Sequence, residues 1–124
     1  MLGKKEERAF ELATQTRYGL SVIIERLNDS LDSGKLVAPR FADFLLLFEG
    51  YCCYVEVKST AKVVTKWSTS GLREGQWRGI RRAKRLGMDY WVVLCTAGVW
   101  YKFKVEDGQK TVLLTEPWEL GTFL

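Results

Sequence analysis

A single α/β domain spanning residues 1–124, with elements in the order α-β-β-β-α-β-β and a short final strand, is predicted by three features of the chain. Two apolar, β-prone runs at residues 41–48 and 51–58 are separated only by Glu49-Gly50, the pattern of a tight hairpin. Residues 72–86 place apolar and cationic side chains on separate faces of one helix, and Gly87 closes it. Two more apolar runs flank Thr96-Ala97-Gly98. A chain of 124 residues can bury one real core but not two, and a hydrophobic content of 47% separates it from disordered chains.

In chain order, residues 4–18 read as a charged helix whose narrow apolar face is Ala9, Phe10 and Ala13, with Glu6 and Glu7 in its first turn and Gly19 as its stop. Residues 20–27, containing Val22, Ile23 and Ile24, read as a strand, with continuation of the helix through Leu27 as the alternative. Asn-Asp-Ser and Asp-Ser-Gly clusters make residues 28–39 a loop. Beyond the hairpin, residues 59–70 have weak periodicity and carry Lys62, Lys66 and Trp67, so a mobile basic segment is expected there. Thr69 or Ser70 is the expected cap of the helix at residues 72–86. Gln76, Ile80, Ala83 and Gly87 share its packing face, while Arg78, Arg81, Arg82 and Arg85 form a second stripe with no interleaved glutamate. Strands at residues 90–95 and 99–105 follow, and Asp107-Gly108 turns the chain into a short strand near residues 111–114.

Composition excludes much chemistry. Histidine is absent, which removes Ser-His-Asp and Cys-His triads, two-histidine acid-base nucleases and histidine-bound metals, and leaves any hydrolysis to carboxylates and lysine. Cys52, Cys53 and Cys95 form no CxxC pair, and the adjacent two point to opposite faces of a strand, so neither a disulfide framework nor a zinc site is expected. The 19 Lys+Arg against 15 Asp+Glu give a net charge of +4, compatible with a polyanionic partner. No apolar window is long enough to span a bilayer, and the start lacks the apolar core of a signal peptide. An intracellular protein is therefore expected, with no membrane and no organic cofactor.

The hairpin carries the chemistry. With Phe48 paired to Tyr51, Asp43 falls directly across from Glu56, their Cβ atoms about 5 Å apart on one face. Side chains alternate along a strand, so Lys58 emerges on that same face. Opposed like charges among Leu45, Leu47, Val55 and Val57 destabilise a sheet, and a divalent cation removes the conflict. Hard carboxylate oxygens suit Mg2+, with Mn2+ able to substitute. The alternative is a solvated sheet face on which Lys58 is an ion-pair partner.

Four segments together extend the pattern: Lys4-Lys5-Glu6-Glu7-Arg8 with the helix ending at Gly19 and the strand after it; Ala42-Asp43-Phe44; Tyr54-Val55-Glu56-Val57-Lys58; and the helix at residues 72–86 with Gly87 and the following strand. They resemble the PD-(D/E)xK nuclease superfamily, and within it look most like the archaeal-type Holliday junction resolvases. The resemblance implies a restriction-endonuclease-like mixed central β-sheet flanked by helices. It further implies that Asp43 and Glu56 are metal ligands, that Glu7 completes the site from the first helix, and that Lys58 orients or activates the attacking water. Glu6 or Glu11 could take the place of Glu7, and an acidic first turn also complements the helix dipole. Gln76 is similar to a glutamine near the active site in several branches of the superfamily, or else caps the buried sheet. The longer loop at residues 28–40 and the Trp-rich end with Trp91, Trp100 and Trp118 depart from the archaeal pattern.

The expected reaction is metal-assisted hydrolysis, in which water attacks phosphorus in line and no covalent enzyme intermediate forms. Phosphate contacts are expected from Lys4, Lys5, Arg8, Arg40, Lys62, Lys66, Arg78, Arg81, Arg82 and Arg85, which position DNA without reading its sequence. Branched DNA is the expected partner, in the cytoplasm or on nucleoid or viral DNA. A four-way junction has approximate two-fold symmetry, so a homodimer is expected. Trp91, Trp100, Tyr101 and Phe103 are candidate interface or core positions. A less selective nuclease for flaps, nicks or single strands, and an inactive DNA-binding module on the same scaffold, are the competing readings.

Overall fold

A computed structural model gives the fold and describes residues 3–27 and 40–124. Helix α1 (Lys4–Tyr18) leads through a 3-10 turn (Gly19–Ser21) to β1 (Val22–Arg26). The hairpin β2 (Phe44–Phe48) and β3 (Tyr51–Thr60) precedes a short β4 (Lys66–Ser68), a second 3-10 turn (Thr69–Gly71) and α2 (Glu74–Leu86). Strands β5 (Asp89–Thr96), β6 (Val99–Phe103) and β7 (Thr111–Leu113) complete the order. The expected loop at residues 28–39 lies outside the described residues. Among the described residues no helix is long and apolar enough to cross a membrane.

The main sheet is five-stranded and mixed, in the order β1-β2-β3-β5-β6, with β3 and β5 parallel and the other neighbours antiparallel. That single parallel pairing follows from connectivity, because β4 and α2 lie between the two strands and carry the chain back to the same end. Each face of the sheet has its own core. Phe44, Leu46, Val55, Val57 and Val93 meet Phe10 of α1, and Trp118, Leu120 and Phe123 near the carboxyl terminus pack against them. On the other face Tyr54, Tyr90, Val92 and Leu94 meet Ile80 and Ala83 of α2, joined by Trp67 and Val112 from the β4-β7 pair. Alternation along β3 therefore points Glu56 and Lys58 to the α2 face, beyond Tyr54.

Three expectations need correction. Residues 59–70 are not a mobile segment: β3 runs on to Thr60, and Lys66–Ser68 pairs with β7 so that Trp67 packs against Phe103 at a ring separation of 5.6 Å. Residues 61–65 between them are tied down through Thr96, whose hydroxyl accepts from the Val64 N–H and donates to the Lys62 carbonyl. Thr69 and Ser70 do not cap α2; they form their own turn, and α2 begins at Glu74 with the Gln76 side chain reaching back to the Arg73 N–H at 2.6 Å. The strand expected at residues 20–27 starts only at Val22, and Leu20 on the preceding turn is fully exposed. Of the aromatic candidates, Trp91 and Trp100 pack on the α1-face core and Phe103 on the α2-face core.

Gly79 breaks local propensity for a packing reason. Glycine inside a helix costs about 1 kcal/mol relative to alanine. A Cβ here, however, meets the Phe41 carbonyl oxygen at 2.6 Å and the Tyr90 ring at 2.7 Å. The bare backbone lets α2 press on the segment that delivers Asp43, and the Tyr90 hydroxyl donates to that same Phe41 carbonyl.

Candidate active site

The hairpin folds in the expected register from Phe48↔Tyr51 to Phe44↔Val55, but Asp43 leaves it. It stands one residue before β2, and its N–H donates to the Val55 carbonyl at 3.1 Å while its own carbonyl accepts from the Leu27 N–H at 2.8 Å. Its carboxylate takes over a ladder position: Oδ2 accepts from the Val57 N–H at 2.8 Å. This departure from simple cross-strand pairing tucks the carboxylate against the hairpin backbone beside Glu56. Asp43 and Glu56 are each 3% exposed.

Cations answer part of this buried charge. Arg40 Nη2 lies 3.3 Å from Asp43 Oδ1, and Lys58 Nζ lies 3.2 Å from Glu56 Oε2. Lys58 Nζ also donates to the Gly71 carbonyl at 3.0 Å, which anchors it to the turn before α2. Glu56 Oε1 is buried and has no hydrogen-bond partner among the described residues. The electrostatic consequence is large. Burial first, then the Asp43 charge, pushes the Glu56 carboxyl up to about 7, against the pull of Lys58 and Arg40. Burial likewise raises Asp43 above the ordinary carboxylate range, opposed by the Val57 N–H and by Arg40 and Lys58.

Helix α1 brings three glutamates near its start, and their surroundings separate them. Glu7 is raised by burial and then by the Asp43 charge; Arg26 Nη1 holds its Oε1 at 3.2 Å. Glu11 is drawn off to Arg26 Nη2 at 3.0 Å, and the charge of Glu6 acts on Cys95 instead. Gln76 is buried, with its Oε1 committed to the start of α2.

Among the described residues no three carboxylate or thiol side chains close around a common point. Two carboxylates with a free buried oxygen nonetheless fit a Mg2+-type ion, which keeps several positions for water and phosphate. The donor set thus suits a hard divalent cation.

The architecture has a counterpart among solved structures: Archaeoglobus fulgidus Hjc, a Holliday junction resolvase from an archaeal hyperthermophile, superposes with a TM-score of 0.56 and 16% identity over 90% of this chain and 88% of that one. The chain shares the fold of that archaeal protein. No protein-family model matches the sequence, and no curated protein is similar to it. At 16% identity the likeness is one of fold, consistent with the restriction-endonuclease-like mixed sheet and helices expected from the sequence.

Within this resolvase-like fold the outer cations divide into two groups. Lys4, Lys5, Arg8, Lys62, Lys66, Arg82 and Arg85 are exposed. Arg78 and Arg81 are exposed too, but Glu74 lies 3.4 Å from Arg78 and 3.5 Å from Arg81, and Asp107 lies 3.2 Å from Arg81. The α2 stripe is therefore partly neutralised, by Glu74 ahead of it and Asp107 outside the helix, although no glutamate is interleaved within it. Glu74, four residues before Arg78, is the signal that could have shown it. Arg40, expected as a phosphate contact, is folded back on Asp43, a direction its spacing alone does not reveal. The Gly71 carbonyl that anchors Lys58 has no sequence signal at all.

Proposed function

We propose that the protein is a divalent-metal-dependent endonuclease that resolves four-way DNA junctions by paired hydrolytic nicks. The observation that carries this reading is the unpartnered, buried Glu56 Oε1 beside Asp43, with Lys58 adjacent, in a resolvase fold. Asp43 and Glu56 hold the ion, and Glu7 completes the site from α1. Bound there, Mg2+, or Mn2+ in its place, supplies a Lewis acid that lowers the pKa of water and offsets charge on the phosphate. Lys58, fixed between Glu56 and the Gly71 carbonyl, presents its ammonium where negative charge develops on the phosphorane, the place at which a preorganised cation acts most strongly. Gln76 acts by positioning, since it secures the first turn of α2 next to the Gly71 turn.

DNA is held through its phosphates by the amino-terminal Lys4, Lys5 and Arg8, by Lys62 and Lys66 flanking the pinned 61–65 turn, and by Arg82 and Arg85 with Arg78 and Arg81 secondary. Two sites on opposed strands call for a C2 homodimer. The partial neutralisation of the α2 stripe favours one further reading, a nuclease of the same fold with weaker selectivity for branched DNA.

Incubation with Mg2+ and labelled four-way junction, linear duplex, flap and single strand, with Asp43→Asn alongside, tests the proposal. Symmetric paired nicks confined to the junction and lost in Asp43→Asn are expected. Equal cutting of all substrates establishes the less selective nuclease, and tight junction binding without cutting establishes an inactive binding module.

A further inference from the structure

Arg40 is poorly served where it sits. Its side chain is 28% exposed, it meets Asp43 Oδ1 through one terminal nitrogen at 3.3 Å, and its Nε–H is buried without an acceptor among the described residues. A guanidinium built as a permanent structural partner of a carboxylate uses two parallel hydrogen bonds and leaves no buried donor orphaned. Close by, Glu56 Oε1 is an orphaned buried acceptor. Its charge also pulls down the Glu7 and Glu56 carboxyls, while its ion pair among the described residues is with Asp43.

We infer that Arg40 is a resident counter-cation of the carboxylate cluster, which a divalent ion displaces, and that the released guanidinium then becomes a ligand for the substrate phosphate. The inference rests on the metal-site reading proposed above. Displacement exchanges one monodentate contact on Asp43 for hard-cation coordination and relieves both orphaned atoms. It also frees a fork of donors whose geometry matches a phosphate, and the partial exposure of Arg40 leaves it a path outward. The residue thereby links ion binding to substrate binding, because its grip on phosphate is available only once the ion is in place.

Two measurements on the full chain test this. In the first, Mn2+ binding to metal-free protein is followed by electron paramagnetic resonance, without DNA, for the unaltered protein, Arg40→Gln, Arg40→Lys and Asp43→Asn. Arg40→Gln is expected to bind Mn2+ about fivefold more tightly, the scale of one partly exposed ion pair, while Arg40→Lys stays near the unaltered protein. In the second, the arginine Nε–Hε signals of the unaltered protein are followed by nuclear magnetic resonance, which needs no folded variant. One solvent-protected signal in metal-free buffer is expected to lose its protection on addition of Mg2+. Mn2+ binding that Asp43→Asn abolishes but Arg40→Gln leaves unchanged or weakened overturns the role of Arg40 and leaves the metal site standing, as does a signal that stays protected at saturating Mg2+. Absence of Mn2+ binding by the unaltered protein overturns the metal site and the inference together.

Discussion

A carboxylate-lysine arrangement lies near each end of strand β3, and the two are built to opposite effect. Near its start, Tyr51 donates to Asp89 Oδ2 at 2.6 Å and accepts from Trp91 Nε1 at 2.9 Å, and Lys104 Nζ closes on Asp89 Oδ1 at 2.7 Å. Every polar atom named there has a partner, and Lys104 and Tyr51 hold the Asp89 carboxyl below the usual range. Five residues along, about 17 Å at strand rise, Glu56 shares Lys58 with a backbone carbonyl, faces Asp43 and keeps an oxygen unpartnered, so burial drives its carboxyl up. One end is satisfied and fixes the parallel β3-β5 pairing. The other is left in deficit, and a buried deficit of this kind marks a place where something else is meant to bind.

Glu56→Gln breaks the contrast most severely. It removes half of the proposed ligand pair, and Mg2+-dependent nicking is expected to fall on the order of 10³-fold or more. The same substitution exposes the deficit thermodynamically. The Glu56 carboxyl has a reference value of 4.5 and lies at about 7 when folded, so between those pH values the folded chain binds the proton that the unfolded chain has lost. Its contribution is fully present below pH 4.5 and is lost as pH rises to about 7, a fall of about 3 kcal/mol in metal-free stability. Asp43, shifted the same way, adds to that slope. Denaturant unfolding in chelator across this window should show the decline in the unaltered protein, a shallower decline in Glu56→Gln where only Asp43 contributes, and suppression of the decline by Mg2+. A flat profile in the unaltered protein sinks the idea of a deficit. Asp89 behaves oppositely: its depressed carboxyl stabilises above the ordinary Asp range and loses that contribution only as pH falls below about 3.8.

Lys58→Met sharpens the same comparison at the lysines. Lys104 neutralises a carboxylate, whereas Lys58 is shared between Glu56 and Gly71 and borders the proposed phosphate position. Nicking is expected to slow about 10²-fold while junction affinity changes by about twofold or less. Loss of the Lys58 charge also moves the Glu56 window to higher pH, since that charge pulls the carboxyl down. Equal loss of binding and cutting in gel-shift and nicking assays sinks a role specific to the reaction.

The unequal legibility of the chain has the same physical basis. Hairpin register was readable because a two-residue turn leaves one pairing, and Phe48 does pair with Tyr51. The exit of Asp43 from that register was not, because it depends on the Leu27 and Val57 N–H groups, which sit far away in sequence. Helix α2 announced itself through separated faces and a left-handed Gly87, while its true start depends on a glutamine reaching back three residues. The β4-β7 pair hid because three-residue strands carry no period, and only the burial of Trp67 explains it. Glu6, Glu7 and Glu11 could not be told apart because α1 buries little more than Phe10 and Thr14, too narrow a face to fix its rotation. Local rules reached every element they govern; the site is assembled from contacts between elements.

Tyr51→Phe probes the satisfied end and has the smallest expected effect. Loss of the hydroxyl leaves the half-buried Trp91 Nε1–H without its acceptor and removes one of two donors to Asp89, for a cost of about 1–2 kcal/mol. The aromatic ring keeps its contact with Phe48, at a centroid separation of 6.1 Å, so the hairpin turn is unaffected. Denaturant midpoints should fall with an unchanged m-value, and the acid-side loss contributed by Asp89 should become smaller and be complete at a higher pH as its carboxyl relaxes upward. Junction nicking at a temperature well below the transition should match the unaltered protein, because Lys104 still neutralises Asp89 and the β3-β5 ladder continues unbroken to Glu56 and beyond. A drop in nicking comparable to that of Lys58→Met would mean that the two ends of β3 are energetically coupled through the strand, and the division between a structural end and a working end would fail.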